Sequence, residues 1–192
     1  MNLVFLPKDL SEKLLHYEFS EIDSAELEEI LDELKQIDDK LVISDVNFGK
    51  GADWILLLAV LSSITYVITI GDKLEKGIDG WIKIGKRLSN IFKNSDRVYL
   101  DEEGAKIIAI THMSKKYELK SISLIDSHTT YLVDFSSWFS QRKPECFTSK
   151  PFNIYIFTFN VNEERTLILN IKSNVEVIEI LDIENEMLQL PF

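Results

Sequence analysis

The chain has 192 residues, 45% of them hydrophobic and 28% charged, enough apolar material to bury a core and too much for a disordered chain. A formal charge of −11 and a pI near 4.8 argue against binding to nucleic acid or anionic membrane, whose phosphates the long-range field repels, and in favour of a partner with a basic surface. The one cysteine, Cys146, excludes an intrachain disulfide and a thiol-rich zinc site, and it fits a reducing compartment.

In chain order, Asn2 to Leu6 reads as a short strand. Its apolar stretch stops at Pro7-Lys8-Asp9, too short and wrongly flanked for a secretion signal, so the expected compartment is the cytoplasm. Asp9 to Lys40 then carries twelve acidic residues against three lysines. Within it Asp23-Ser24-Ala25-Glu26 has the form of a capping box, and Leu27, Ile30, Leu31, Leu34 and Ile37 follow at helical spacing. The pattern predicts an amphipathic helix whose outer face is acidic. Leu41 to Val46 reads as a strand.

From Trp54 to Gly71 the chain is uncharged, and the run is closed by Asp53 and Asp72. A helix over this stretch would rise about 27 Å against a hydrocarbon thickness of about 30 Å, so length does not discriminate. Ser62, Ser63, Thr65 and Thr69, with no lysine or arginine bias at one end, favour a long central apolar helix covered by the rest of an α+β protein. The alternative is a membrane-inserting hairpin. Six of the seven glycines bracket or follow this run, which suggests a close corner before a second amphipathic helix, Ile78 to Phe92, with Lys83, Lys86, Arg87 and Lys93 mostly on its outer side.

Arg97 to Leu100 (RVYL) reads as a strand. Asp101-Glu102-Glu103 opens a helix that ends at Lys115-Lys116, which puts acid and base at the dipole ends that favour them. Two strands, Lys120 to Ile125 and Thr129 to Val133, are expected around a turn at Asp126-Ser127-His128. The irregular stretch Phe135 to Phe152 contains Pro144 and Pro151. Asn153 to Phe159, Thr166 to Ile171 and Val175 to Leu181 then predict a three-stranded antiparallel meander closing a C-terminal mixed sheet. The expected class is therefore α+β, with residues 1–95 a mainly helical acidic region and residues 96–192 an α+β region, the two forming separate units or one compact domain.

The search for chemistry gives no site. Lys50-Gly51 lacks the rest of a P-loop, and His16, His112 and His128 follow no zinc-ligand spacing, so neither a nucleotide cofactor nor a metal is expected. Cys146 with His128 or His112 has no local motif behind it. Asp126-Ser127-His128 has turn chemistry rather than triad geometry, and Asp101, Glu102 and Glu103 are explained as helix-start acids. The segment Ser136 to Pro144 is different, since it combines Trp138 and Phe139 with Arg142 and Lys143 in an expected loop, a composition favoured at interfaces.

The sequence therefore reads as a non-enzymatic protein-interaction module, such as an immunity-type inhibitor or an accessory subunit. Its expected partner-binding residues are Glu28, Glu29, Asp32 and Glu33 on the acidic helix, with Trp138 and Arg142 on the loop. The alternative is a membrane-associating effector or accessory protein that uses the 54–71 helix, and a weaker third reading is an enzyme of unrecognised type. The Ile-, Lys- and Asn-rich usage has a bacterial flavour and carries no functional weight.

Overall fold

The expected periodicities resolve, in the computed structural model, into three helices and two antiparallel sheets that share one core; residues 1–5, 24–47, 55–64, 66–94, 98–131 and 153–186 are described. The elements run β1 (Asn2–Phe5), α1 (Ser24–Lys35), β2 (Val42–Asn47), β3 (Ile55–Val60), β4 (Lys73–Leu74), α2 (Ile78–Asn94), β5 (Val98–Leu100), α3 (Glu102–Met113), β6 (Ile122–Tyr131), β7 (Asn153–Val161), β8 (Arg165–Lys172) and β9 (Val177–Glu184). The class is α+β. The first sheet has the order β2-β3-β1-β5 and the second β4-β6-β7-β8-β9.

The apolar run is where the fold departs most from expectation, because no long helix occupies its described residues. Ile55–Val60 is strand β3, paired with β1 on one side and β2 on the other, and the chain turns at Ser62-Ser63. An uninterrupted apolar run suits a strand buried between two neighbours as well as it suits a buried helix, and here the serines mark the end of the strand. Beyond the turn, Leu61, Ile64, Val67 and Ile68 enter the core while Val60 is half-buried. No helix among the described residues is long and apolar enough to cross a membrane. Among the described residues, 1–95 hold four strands besides two helices.

The central buried helix is α3. It is buried from Gly104 to Thr111 and again at Met113, and it touches β1 and β5 of the first sheet, β7 and β8 of the second, and α2. Asp101 caps it: Oδ1 accepts the Gly104 N–H at 3.0 Å while Oδ2 accepts the Asn2 N–H at 2.6 Å, so one carboxylate starts the helix and anchors β1. Burial pushes the Asp101 carboxyl above its ordinary range, although both backbone N–H groups pull it down. Helices α2 and α3 meet at Gly85, where Thr111 fills the space that a side chain would need.

The second sheet is antiparallel in all its paired strands, not mixed; a single parallel bridge, Ile70 to Leu124, lies outside them. The meander β7-β8-β9 has the expected order. Tyr155, Phe157, Phe159 and Val161 on β7 alternate with Leu167, Leu169 and Ile171 on β8 to cover one face with buried side chains. Where a turn was expected at Asp126-Ser127-His128, β6 continues through a bulge between Leu124 and Asp126. The extra residue re-aims the strand, and Ser127 Oγ donates to Glu102 Oε1 at 2.8 Å. The β1–β5 and β4–β6 pairings both link residues on opposite sides of Asn94-Ser95-Asp96.

Candidate functional site

Helix α1 buries Ile30 and Leu34 and half-buries Leu31, so its orientation on the core is fixed by packing. Its other face is left to solvent. Glu29 and Asp32 are exposed, Glu33 is half-buried, and Asp32 holds Lys35 at 3.1 Å one turn on. Glu28 belongs to the same helix, but its side chain lies outside the described residues, as do Trp138 and Arg142 entirely. Of the six expected partner-binding residues, the structure thus brings Glu29, Asp32 and Glu33 onto one helix.

Immediately after α1, Asp38 is buried and ties this region to the turn that follows β3. Its oxygens accept the Ser63 N–H at 2.8 Å, the Ser63 hydroxyl at 2.7 Å and the Lys40 N–H at 2.9 Å. Burial opposes its ionisation, but those hydrogen bonds outweigh it and hold the carboxyl below the ordinary value.

A second polar arrangement, absent from the sequence reading, joins the C-terminal end of α3 to β8 and β9. Lys116 Nζ sits 2.7 Å from Glu179 and 3.8 Å from Asp182. Arg165 reaches Asp182 at 2.8 Å and Glu184 at 2.9 Å, with its guanidinium 5.4 Å from the centre of the Tyr117 ring. The Tyr117 hydroxyl donates to Asp182. That hydrogen bond and burial raise the Tyr117 hydroxyl above its ordinary value. His112 Nε2 lies 3.6 Å from Glu179, is buried and has no hydrogen-bond partner. Two cations thus sit between three carboxylates, each charge facing at least one of opposite sign. The cluster is a clasp between a helix and an edge strand.

Its pH behaviour follows from Asp182. Burial pushes that carboxyl up, but the Tyr117 and Arg165 hydrogen bonds and the charges of Arg165 and Lys116 together hold it below its ordinary value of 3.8. A depressed carboxyl stabilises the fold fully above the unfolded value, and that stabilisation is lost as pH falls below 3.8 through the folded value. Asp182→Asn lacks this contribution already at neutral pH. Denaturant melts between neutral pH and pH about 3 should therefore show a shallower fall in stability for Asp182→Asn than for wild type. Parallel curves would mean that the clasp does not depend on the Asp182 charge.

A third set joins the buried Lys106 to the half-buried Glu102 and Glu103. Lys106 Nζ is 2.8 Å from Glu103 and 3.2 Å from Glu102, and Glu103 Oε2 accepts the Val67 N–H at 2.7 Å. Every polar end here has a partner on α3, β6 or the segment around Val67. That is how a helix carrying a lysine can be central. Among the described residues no group of three or more His, Cys, Asp or Glu side chains could hold a metal ion.

A basic surface lies on α2. Lys83, Lys86, Arg87 and Lys93 are exposed on one side of that helix, while Ile78, Leu88 and Ile91 are buried on the other. Arg87 Nη1 donates to the Gln36 carbonyl at 3.0 Å, just past the end of α1. An acidic and a basic helix face therefore lie next to each other. No family model, curated protein or solved structure matches the chain.

Proposed function

We propose that the chain is a cytoplasmic protein-interaction module whose acidic α1 face meets a basic surface on a protein partner, as an immunity-type inhibitor or an accessory subunit would. The observation that carries this reading is the fixed outward presentation of Glu29 and Asp32 while Ile30 and Leu34 are locked into the core. A charge array held rigid costs little ordering entropy on association. The clusters around Lys106 and Asp182 support the same reading, since their charges pair with one another within the fold. Trp138 and Arg142 belong to the proposal as a second contact. The single Cys146 is what speaks for a reducing compartment.

The test is capture of a partner from native cell extract, followed by association kinetics. Glu29→Lys/Asp32→Lys should slow association at least several-fold and flatten its dependence on salt, with an unchanged circular dichroism spectrum, because peripheral charges act on the on-rate. Trp138→Ala should instead shorten the lifetime of the complex by an amount equivalent to about 2 kcal/mol. A captured partner that binds both variants like wild type would overturn the proposal.

A further inference from the structure

The chain carries 32 acidic and 21 basic residues, yet α2 turns Lys83, Lys86 and Lys93 to solvent with no carboxylate paired to any of them among the described residues. Arg87, on the same face, bonds a backbone carbonyl instead of an acid. The spacing 83, 86, 87, 93 keeps all four on one side of a helix and spans ten residues, about 15 Å. It touches α1, through Arg87 and the Gln36 carbonyl at the end of that helix, and α1 has five carboxylates and one lysine in twelve residues. Both helices bury their apolar sides in the same core, so both charged sides face out.

Two neighbouring stripes of opposite sign form a self-complementary surface. A two-fold rotation about an axis crossing the seam lays the acidic stripe of one copy on the basic stripe of the other, and does so twice, which is the isologous arrangement of a symmetric dimer. We infer that the α1–α2 seam docks a second copy of this chain. The inference rests on the proposed role of the α1 face and adds to it one identified partner.

Other occupants of α2 fit less well. A lipid surface would need the apolar side of the helix, and Ile78, Leu88 and Ile91 are committed to the core. A nucleic acid meets the four cations but also the field of a chain at −11. A second copy brings the same net charge, but its acidic α1 stripe is set against the basic α2 stripe, and facing charges within the screening length of about 8 Å at physiological salt outweigh more distant ones. Contacts of this kind are individually weak, so the dimer is concentration-dependent and salt-sensitive.

Sedimentation velocity over a concentration series, at about 0.15 M and about 0.5 M salt, provides the test. Wild type should form a dimer whose population rises with concentration and falls at the higher salt. Lys83→Glu/Lys86→Glu and Glu29→Lys/Asp32→Lys should each be monomeric alone, since each turns its two facing pairs into like charges. An equimolar mixture of the two variants should regain a mixed dimer, because both of its contacts are again between opposite charges. A wild type that is monomeric throughout overturns the inference, whether or not it binds anionic vesicles or single-stranded DNA. So does a dimer unmoved by salt and by both variants, or a mixture that stays monomeric. Capture of a different partner separates this from the preceding proposal, because Lys83→Glu/Lys86→Glu keeps the α1 face and loses only self-association.

Discussion

Gly85→Ala is expected to destabilise the protein by about 3 kcal/mol, the upper end of what overpacking a tight core site costs, although alanine is ordinarily the better helix former. A Cβ on Gly85 would lie 1.9 Å from Thr111 Oγ1, 3.0 Å from Thr111 Cβ and 3.1 Å from Ile107 Cγ2. Thr111 has no easy way out. It is buried, and its hydroxyl donates to the Ile107 carbonyl at 2.9 Å one turn back along α3. The α2–α3 contact would have to open, and with it the packing of the central helix on both sheets. The second-site test removes the worst obstacle: Thr111→Ala deletes the oxygen at 1.9 Å and leaves only the contacts at 3.0 and 3.1 Å, which small shifts can relieve. In thermal or denaturant unfolding, Gly85→Ala/Thr111→Ala should be more stable than Gly85→Ala alone, a coupling of the sort seen only between touching residues. Strictly additive effects would show that the helices do not approach at this point.

Lys106→Met is expected to cost about 3–5 kcal/mol at neutral pH, despite the greater hydrophobicity of methionine. Lys106 is 5% exposed, and its ammonium is the counter-ion that lets Glu103 and Glu102 share the end of α3. Without it two carboxylates face each other in a half-buried site, and one of them also holds the Val67 N–H. Adding Glu102→Gln and Glu103→Gln should recover most of the stability at neutral pH, since each amide still offers an oxygen to Ser127 or to Val67. If Lys106→Met is as stable as wild type at neutral pH, the three charges do not form a unit.

The same lysine explains part of what the sequence conceals. Local signals were sufficient wherever one residue or one short pattern determines an element. The spacing of Ile30 and Leu34 marks α1, Asp101 marks the start of α3, and the β-branched runs with their polar turns mark β7, β8 and β9. What misled was the equation of apolar with central. Ile55–Val60 has no polar residue to report its period, and it is a strand. The true central helix advertises itself poorly because Glu102, Glu103, Lys106 and Thr111 interrupt its apolar pattern, and each is neutralised or hydrogen-bonded by a partner within the fold.

The candidate surfaces divide along the same line. The acidic side of α1 and the basic side of α2 are legible, because a helical repeat tells which residues share a face. The clasp was not, since Lys116 meets Glu179 and Tyr117 meets Asp182 only after the meander has folded back on α3. No spacing rule connects residues that far apart. The bulge between Leu124 and Asp126 is equally invisible: its polar residues have turn composition, and only pairing along the whole of β7 shows that the strand continues.

The position of β1 inside the first sheet bears on how the chain comes together in time. Leu3 pairs with Ala59 on one side and with Leu100 on the other, so β1 cannot complete its hydrogen bonding until the roughly 100 residues that follow it have been made, about 5–20 s at ordinary elongation rates. Over that interval an apolar strand waits with an open edge, the state most exposed to mispairing with other nascent chains. The meander has no such delay, because its hairpins close within a few residues and can form in about 1–10 μs once their strands are present. The slow event is thus the closure of the first sheet around its N-terminal strand, a long-range step whose entropy must be met before any contact repays it. Substitutions that weaken β5, at Val98 or Leu100, should accordingly lower the folding rate more than equally destabilising ones in β9.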